Sequence, residues 1–277
     1  QNKTITINFL KIVFLIFVLI SIFFIYSILK PLPLKENIIF EVKKGHGFNQ
    51  LVDELKETNL IDYPLLMKTY GKLTGRASKV HAGEYEISQN DSVVSLVNSM
   101  FEGKIFYRQL RLKEGSTFNE LLEALIENPY LSKDREINST DLIRSHLKIS
   151  YHSLEGLFYP DTYFFKKGDS TLNLLKRAHG KHNQVVEEVW SSRSIGLPYE
   201  SSYEALILAS IIEKEGTEKK QIAGVFVRRL ILKMKLQSDP TIIFALGDEY
   251  AGDIKSSHIK MKHPYNTYHI KGLPPGP

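Results

Sequence analysis

An uncharged apolar run near the amino terminus is the feature that most restricts what this chain can fold into. Residues 12–29 contain no charged side chain, and Phe9 and Leu10 extend the apolar character beyond Lys11. As a helix that rises ~1.5 Å per residue, the run is about 27 Å long, close to the thickness of a bilayer's hydrocarbon core. Because its apolar residues would cover every side of a helix, the run predicts a membrane-spanning segment.

A cleaved signal peptide and a buried core helix are the alternative interpretations of this run. The apolar region of a signal peptide is shorter, about 7–15 residues, and small residues at a cleavage site follow it. Residues 26–31, YSILKP, offer no such site. We therefore expect residues 1–30 to form a transmembrane anchor. Its orientation stays open, because two lysines before the run balance the two that follow it.

Composition excludes several classes of protein for the rest of the chain. Of the 277 residues, 43% are hydrophobic, which is enough apolar material for one large core or two modest ones. The net charge of +5 comes from basic residues spread along the chain, whereas a nucleic-acid surface needs a clustered patch. Cysteine is absent, so disulfide bonds, thiolate metal sites and a cysteine nucleophile are excluded. We expect no nucleic-acid partner.

Neither a metal nor an organic cofactor is expected. His179 and His182 lie one helical turn apart, but the sequence indicates no third ligand for a metal beside them. The sequence also has no phosphate-binding loop, no dinucleotide fingerprint and no nucleophile elbow. Any chemistry therefore falls to ordinary side chains.

The pattern after the apolar run predicts an α+β fold in two domains. Pro31 and Pro33 forbid helix continuation, and the small αβ module that follows occupies residues 31–105. The second domain, residues 106–277, is mostly helical, and its carboxyl-terminal loops are rich in Gly, Pro, Asn and Tyr. The predicted strands are 38–42, 82–87 and 109–112, and the predicted helices are 48–59, 63–73, 92–101, 117–126, 169–189 and those within 202–236.

The strongest local anomaly is the segment EALILASIIEKE at residues 204–215. Every residue from 205 to 212 is apolar or small, which predicts a helix buried on all sides, and Glu213 follows directly. Ala209 and Ser210 flank Glu213 one turn earlier and leave room for a ligand. Burial disfavours the charged form of a carboxyl, so such a residue can act as a general acid.

The bland alternative is that Glu213 is the first solvated residue at a helix end, or an ion partner of Arg228 or Arg229. Glu215 lies about 200° around the helix from Glu213, so the two carboxylates are not expected to share a face.

Three further features are weaker when each is taken alone. An aromatic loop with an aspartate, EGLFYPDTY at 155–163, suits sugar stacking but suits a packed turn equally well. In QSDPT at 237–241, the aspartate could contact substrate or cap the next helix. YNTY at 265–268 combines hydrogen-bonding groups with two rings, and its alternative is a β-turn with surface tyrosines.

Together these features resemble the endolytic murein transglycosylase family, also called MltG or YceG-like. The matching segments occur in the family's order along nearly the whole chain. They are the amino-terminal anchor, AGEY at 82–85, EG at 155–156 with PDTY at 160–163, LASIIEKE at 208–215, VFVRRL at 225–230, LQSDPT at 236–241, YNTY at 265–268 and GLPPG at 272–276.

The resemblance implies a domain order, an activity and a catalytic residue. Residues 31–105 would form a LysM-like glycan-binding module, and residues 106–277 would form the catalytic domain. The family's catalytic glutamate is the first of its E-K-E motif, here Glu213. The enzyme would cut glycan strands of nascent peptidoglycan internally at the MurNAc-GlcNAc bond and leave 1,6-anhydro-MurNAc ends. It would be a single-pass protein of the bacterial inner membrane with its catalytic domain on the periplasmic side. Association with peptidoglycan synthases is a family-level expectation.

Further site residues follow from the same resemblance as a second and a third rank. Members of the second rank would bind glycan or orient Glu213, and they are Gln237, Asp239, Tyr265 and Asn266. Members of the third rank would bind substrate or serve the structure alone, and they are Tyr159, Asp161 and Tyr163.

Two departures from the family pattern concern the motif and the termini. Gly216 stands where the family usually has Thr after E-K-E. Family members continue for several tens of residues beyond the position of Pro277, so we expect the catalytic domain to be truncated at its carboxyl end. Because Gln1 stands in place of an initiator Met, we also expect a few residues to precede it.

Two other functions remain open at this point. A glycan-binding scaffold would use the LysM-like module and perform no chemistry. A hydrolase that uses water would need a second carboxylate near Glu213, for which Asp239 is the best candidate.

Overall fold

Two units divide the chain, residues 1–108 and residues 109–277. The computed structural model describes the backbone of residues 2–277 and the side chains of residues 7–277. Helices predominate over a few short strands in both units, so the expected α+β class is confirmed. The likeness of the first unit to a LysM module stays a prediction.

The first element is a long apolar helix, α1 (Asn2–Leu29). Its stretch Ile7–Leu29 has a mean hydropathy of 3.1 and is long and apolar enough to cross a membrane. Most of its large side chains are exposed, as expected of a helix that is apolar on every side. Its last turn differs, because Ser27 and Ile28 are buried and Ile28 belongs to the apolar core of the first unit.

The first unit pairs two strands and packs three helices beside them. Strands β1 (Ile38–Val42) and β2 (Gly83–Ile87) are antiparallel, with Ile38 opposite Ile87. Amphipathic spacing accounts for the helices, since each buries its apolar stripe in one core. The helices are α2 (Phe48–Glu57), α3 (Pro64–Leu73) and α4 (Val93–Glu102).

A buried ion pair lies within the first unit. Glu84 on β2 is 5% exposed, and its two carboxylate oxygens accept hydrogen bonds from Nε and Nη2 of Arg108, both 2.8 Å long. Two parallel bonds satisfy both oxygens of the carboxylate, which is the arrangement that a buried charge requires.

The second unit begins with two short strands and three helices around a common core. Strands β3 (Arg108–Arg111) and β4 (Thr162–Phe165) pair in one sheet. A capping box starts the first of the helices, because Thr117 Oγ1 and Glu120 Oε2 each accept the other residue's backbone N–H. The helices are α5 (Phe118–Glu127), α6 (Thr140–Leu147) and α7 (Thr171–Ser191).

Four more helices complete the second unit and carry the predicted site. A second apolar cluster, centred on Ile207, Leu208, Ile211 and Phe226, holds the first two of them together. These helices are α8 (Ser202–Glu215), α9 (Lys219–Ile231), α10 (Asp239–Leu246) and α11 (Ser256–Ile259).

Candidate active site

Helix α8 carries Glu213 and presents two different sides. Ser201 caps its start, since Ser201 Oγ accepts the Glu204 N–H at 3.2 Å. Ile207, Leu208 and Ile211 are buried, but Ala209 is exposed. The expectation that this helix is buried on all sides is therefore wrong. The reason is that its small residues, Ala209 and Ser210, line an open cavity instead of packing in the core.

This cavity, which we call the Glu213 cleft, has a volume of about 330 Å³. Glu213 lines it together with the small side of α8, as the spacing of the small residues predicts. The other walls come from the turn before α5, the loop before β4, the start of α10 and the carboxyl-terminal loops. Their residues include Gly115, Glu155, Phe158, Pro240, Phe244, Tyr265, Pro274 and Gly276. The cleft thus joins segments that lie far apart in the sequence.

Gly115 brings the turn before α5 close to the predicted catalytic residue. A methyl group added at this position would lie 3.6 Å from Glu213 Cγ and 3.4 Å from Lys214 Cε. The backbone of Gly115 also has φ +71°, a conformation that residues other than glycine adopt only with strain. A glycine here permits both the turn and its approach to α8.

Glu213 is half-exposed and is held by a lysine from the next helix. Its side chain is 43% exposed, and Lys219 Nζ lies 3.0 Å from Glu213 Oε2. The same ammonium donates to the Glu213 carbonyl at 2.6 Å, so it also satisfies a free carbonyl at the end of α8. Among the described residues the ion partner of Glu213 is therefore Lys219, while Arg229 donates to the Leu236 carbonyl.

Glu215 points away from the cleft, as helical spacing predicts. Its Oε2 accepts a hydrogen bond from Ser238 Oγ at 2.5 Å, and Ser238 is fully buried. Glu215 therefore ties the end of α8 to the start of α10, and Glu213 is the member of the pair that faces the cleft.

A second carboxyl, Glu155, lines the same cleft. Its Oε2 accepts the N–H of Phe118, the first residue of α5, at 2.8 Å. Burial raises the pKa of Glu155 above the ordinary range, although the Phe118 N–H opposes that effect. The sequence prediction did not include Glu155 in the site, even though the residue begins one of the matching motifs.

Two aromatic rings form one wall of the cleft. The rings of Phe244 and Tyr265 lie 4.8 Å apart at an interplanar angle of 47°. Burial raises the pKa of the Tyr265 hydroxyl, and the nearby charge of Glu155 adds to the rise. A tilted pair of rings offers an apolar face to a sugar ring and a hydroxyl to its polar edge.

Of the second-rank residues, Tyr265 lines the cleft and the other three lie outside its lining. Asp239 Oδ1 accepts the Tyr268 hydroxyl at 2.7 Å. Gln237 is exposed, and its backbone N–H donates to the Thr267 carbonyl. Asn266 is 0% exposed, and its amide donates to three backbone carbonyls of residues 258, 259 and 261. These contacts hold the carboxyl-terminal loops together.

The third-rank residues lie outside the cleft lining as well. The Tyr163 hydroxyl donates to the Tyr159 carbonyl at 2.8 Å, and the Tyr163 ring is buried. Asp161 pairs with Lys181 and accepts the Thr162 N–H, so its pKa is lowered. Their neighbour Pro160 does line the cleft. The aromatic loop therefore supplies a wall through Phe158 and Pro160, while its tyrosines and aspartate contact the protein.

Sequence reasoning missed Glu155, Lys219 and Phe244. Only Glu155 had a signal, because its EG dipeptide belongs to the family pattern. Lys219 is one of three consecutive charged residues, and Phe244 is one apolar residue in an apolar helix. Their places beside the cleft depend on the packing of α9 and α10 against α8.

Comparison with known proteins identifies the family of the chain. A model of the YceG-like family matches residues 40–277. The chain belongs to the YceG-like family. The resemblance inferred from the ordered motifs is thus confirmed.

Relatives of this YceG-like chain share a name and a fold. An endolytic murein transglycosylase of Bacillus subtilis is 28% identical over 91% of this chain and 75% of its own length. One of Streptococcus pneumoniae is 25% identical over 88% of this chain and half of its own length. A crystal structure of a YceG-like protein from Listeria monocytogenes matches with a TM-score of 0.50 and 28% identity. That match covers 88% of this chain and 85% of the Listeria chain.

Proposed function

We propose that this chain is a membrane-anchored endolytic murein transglycosylase with Glu213 as its catalytic acid and base. The observation that carries the proposal is the position of Glu213. It lies on the small-residue side of α8, in a cleft walled by Phe244 and Tyr265, in a chain of the YceG-like family. The names of the curated relatives supply the substrate class, murein glycan.

A single carboxyl in acid and base roles suits this reaction. Glu213 would give its proton to the glycosidic oxygen as the bond from C1 of MurNAc breaks. The C6 hydroxyl of the same sugar would then attack C1 and return its proton to the Glu213 carboxylate. The product is a 1,6-anhydro-MurNAc end, and no water is consumed. An internal nucleophile can have an effective concentration on the order of 10⁵ M, so no second carboxylate is needed to activate it.

The Lys219 ammonium supports the base half of this cycle. Once Glu213 has given up its proton, the carboxylate carries a charge next to a low-polarity wall. Lys219 Nζ, 3.0 Å away, balances that charge and holds the carboxylate in place. We propose Lys219 as a positioning residue.

Internal cleavage needs a groove that accepts sugars on both sides of the broken bond. A second cavity of about 290 Å³ adjoins the Glu213 cleft and runs along α5. The two share Lys113, Ser116, Thr117, Gly156, Phe158 and Pro160 as lining residues. We propose that they hold consecutive sugars of one strand, with Tyr265 in contact with the glycan. In this proposal Gln237, Asp239 and Asn266 act indirectly, through the loops that they hold together.

The proposed cellular location of the enzyme follows from the apolar helix α1. As a single membrane-spanning helix it would keep the enzyme beside newly made strands, with the second unit on the extracytoplasmic side where peptidoglycan lies. Length and apolar composition of Ile7–Leu29 support the anchor.

Product analysis of wild type beside Glu213→Gln tests the proposal. Wild type should release anhydro-muropeptides from un-crosslinked glycan strands, and Glu213→Gln should lower the rate by at least about 100-fold. Mass spectrometry identifies the ends. The matched control is Glu215→Gln, two residues later on α8, which keeps an acceptor for Ser238 and should leave the rate near wild type.

Three outcomes would contradict the proposal in different ways. Full activity of Glu213→Gln removes the catalytic assignment. Sacculus binding without any anhydro product would indicate a glycan-binding scaffold. A reducing-end product would indicate a hydrolase, and Asp239 would then be a poor candidate for its second carboxylate because it lies outside the cleft lining and bonds to Tyr268.

A further inference from the structure

The Glu213 cleft contains a carboxyl that the one-carboxylate reaction does not use. Glu155 lines the cleft from the loop before β4. Only one of its oxygens has a described protein partner, since Oε2 accepts the Phe118 N–H and no described hydrogen bond occupies Oε1. Glu155 is half-buried, and a carboxylate oxygen in such a place is costly unless it faces water or a ligand.

Two charged residues on neighbouring helices act on the carboxyl of Glu155. Glu120 on α5 raises its pKa and Lys214 on α8 lowers it, while burial is the largest effect and raises it. The other titratable groups that line the cleft are Lys113, Glu114, Glu213 and Tyr265. No lysine or arginine forms a described ion pair with Glu155 in the part of the chain that the structure describes.

We propose that Glu155 is a second substrate-facing carboxylate, which stabilises the positive charge that develops on the sugar ring as the glycosidic bond breaks. This inference rests on the proposed function. Cleavage leaves positive charge on C1 and the ring oxygen before the C6 hydroxyl attacks. A fixed carboxylate beside apolar walls such as Phe158 and Phe244 stabilises such a charge more strongly than water does.

Atoms and charges balance without any covalent role for Glu155. Glu213 loses one proton to the leaving oxygen and regains one from the C6 hydroxyl. Glu155 stays ionised throughout and forms no bond to C1. Its Oε2 remains on the Phe118 N–H, so the geometry of the carboxylate is set before substrate arrives. Its Oε1 is the oxygen that faces the sugar.

A purely structural role is the competing explanation, because Glu155 also satisfies a free N–H at the start of α5. The chain offers a matched control for this role. Glu204 Oε2 accepts the Glu200 N–H at 2.6 Å just before α8, and Glu204 lines neither the Glu213 cleft nor the adjoining cavity along α5. Substitution of either glutamate by glutamine removes the charge but keeps an amide oxygen that can accept the backbone N–H.

The test compares full-length wild type, Glu155→Gln and Glu204→Gln in detergent. We expect Glu155→Gln to lower kcat for anhydro-muropeptide release by at least about tenfold, with a thermal unfolding temperature within error of Glu204→Gln. Glu204→Gln should keep the wild-type rate. Equal rates for all three proteins would overturn the proposal, and so would an equal loss in both variants.

The pH profile provides a readout that a structural role would not change. Ionised Glu155 is required in this proposal, so wild-type activity should fall as pH decreases through its raised pKa. In Glu155→Gln that acidic limb should move to lower pH or disappear. An acidic limb that is identical in wild type and Glu155→Gln would contradict a role for its charge.

A binding arm separates this inference from the proposed function. In the Glu213→Gln background, binding of a purified glycan tetrasaccharide is measured by calorimetry with and without Glu155→Gln. If wild type gives no anhydro product but glycan binding weakens with Glu155→Gln, the proposed function is rejected. Glu155 would then remain a sugar-binding residue. If wild type releases anhydro product and Glu155→Gln releases it at the same rate, this inference alone is rejected. If wild type gives no anhydro product and no glycan binding is measured, both the proposed function and this inference are rejected.

Discussion

At the scale of single residues, Lys219 connects the predicted catalytic group to the end of its own helix. Its ammonium contacts both the carboxylate and the backbone carbonyl of Glu213. Lys219→Met removes the charge and all three donors but keeps the length of the side chain. We expect it to lower kcat about tenfold with little change in KM, because the carboxylate loses its position and its balancing charge.

Kinetics of two further variants check this expectation. Lys219→Arg should recover most of the lost rate, since a guanidinium restores the charge and the donors. Lys220→Met, at the exposed neighbouring position, serves as the control and should match wild type. If Lys219→Met retains the wild-type kcat, Lys219 has no positioning role.

The residues also show where sequence reasoning succeeds and where it stops. Glu213 could be singled out because a charged residue follows a run of apolar and small ones, and its neighbours Ala209 and Ser210 do open onto a cavity. Glu155 belongs to a matching motif, but the motif does not reveal that its side chain lines the cleft and accepts the N–H of Phe118, 37 positions earlier in the chain. Asn266 was predicted as a glycan-binding or orienting residue because the sequence does not reveal the partners of its side chain. In the structure its amide donates to three backbone carbonyls.

At the scale of elements, α7 carries a buried histidine that couples stability to pH. His182 is 7% exposed, and burial, with a smaller effect from His179, lowers its pKa from 6.5 to about 4. The folded protein therefore keeps His182 neutral in a range where the unfolded chain protonates it. Since the unfolded state binds more protons between these values, stability should decrease as pH falls from about 6.5 to about 4.

Thermal or urea unfolding across this pH range measures the effect. We expect a loss of about 3 kcal/mol in the free energy of unfolding of the second unit between pH 7 and pH 4. His182→Leu should flatten that slope whatever its absolute stability, whereas His146→Gln, at an exposed position on α6, should keep it. An unchanged slope in His182→Leu would show that other groups cause the acid sensitivity.

Elements were more predictable than the site because each depends mainly on local pattern. The stripe of Phe48, Leu51, Val52 and Leu55 predicts α2, and these four residues are buried in the structure. Helix α8 is the instructive exception, since its composition indicates burial on all sides. One of its sides lines a cleft instead, and the identity of the opposite wall is not encoded within the helix.

At the scale of the whole molecule, helix α1 is exposed along most of its apolar length and buried at its carboxyl end. Its exposed apolar length suits lipid, but Ser27 and Ile28 at its end are buried, and Ile28 packs in the core of the first unit. If α1 is the membrane anchor that we propose, its end continues into the core of the first unit without a flexible linker and would hold that unit close to the membrane surface. The proposed anchor and the folding of the first unit are therefore linked through a single helical turn.

Two truncations separate these roles. A chain that begins at Ser27 lacks the apolar span but keeps Ile28, so it should be recovered in the soluble fraction with the first unit folded. A chain that begins at Lys30 also lacks Ile28, which is 7% exposed, and should be less stable by about 2–4 kcal/mol because a cavity replaces a buried side chain. Carbonate extraction of membranes and urea unfolding measure the two effects. If the chain that begins at Ser27 stays with the membrane after carbonate, some other part of the molecule provides the attachment. If the two truncations unfold at the same urea concentration, the last turn of α1 does not contribute to the core.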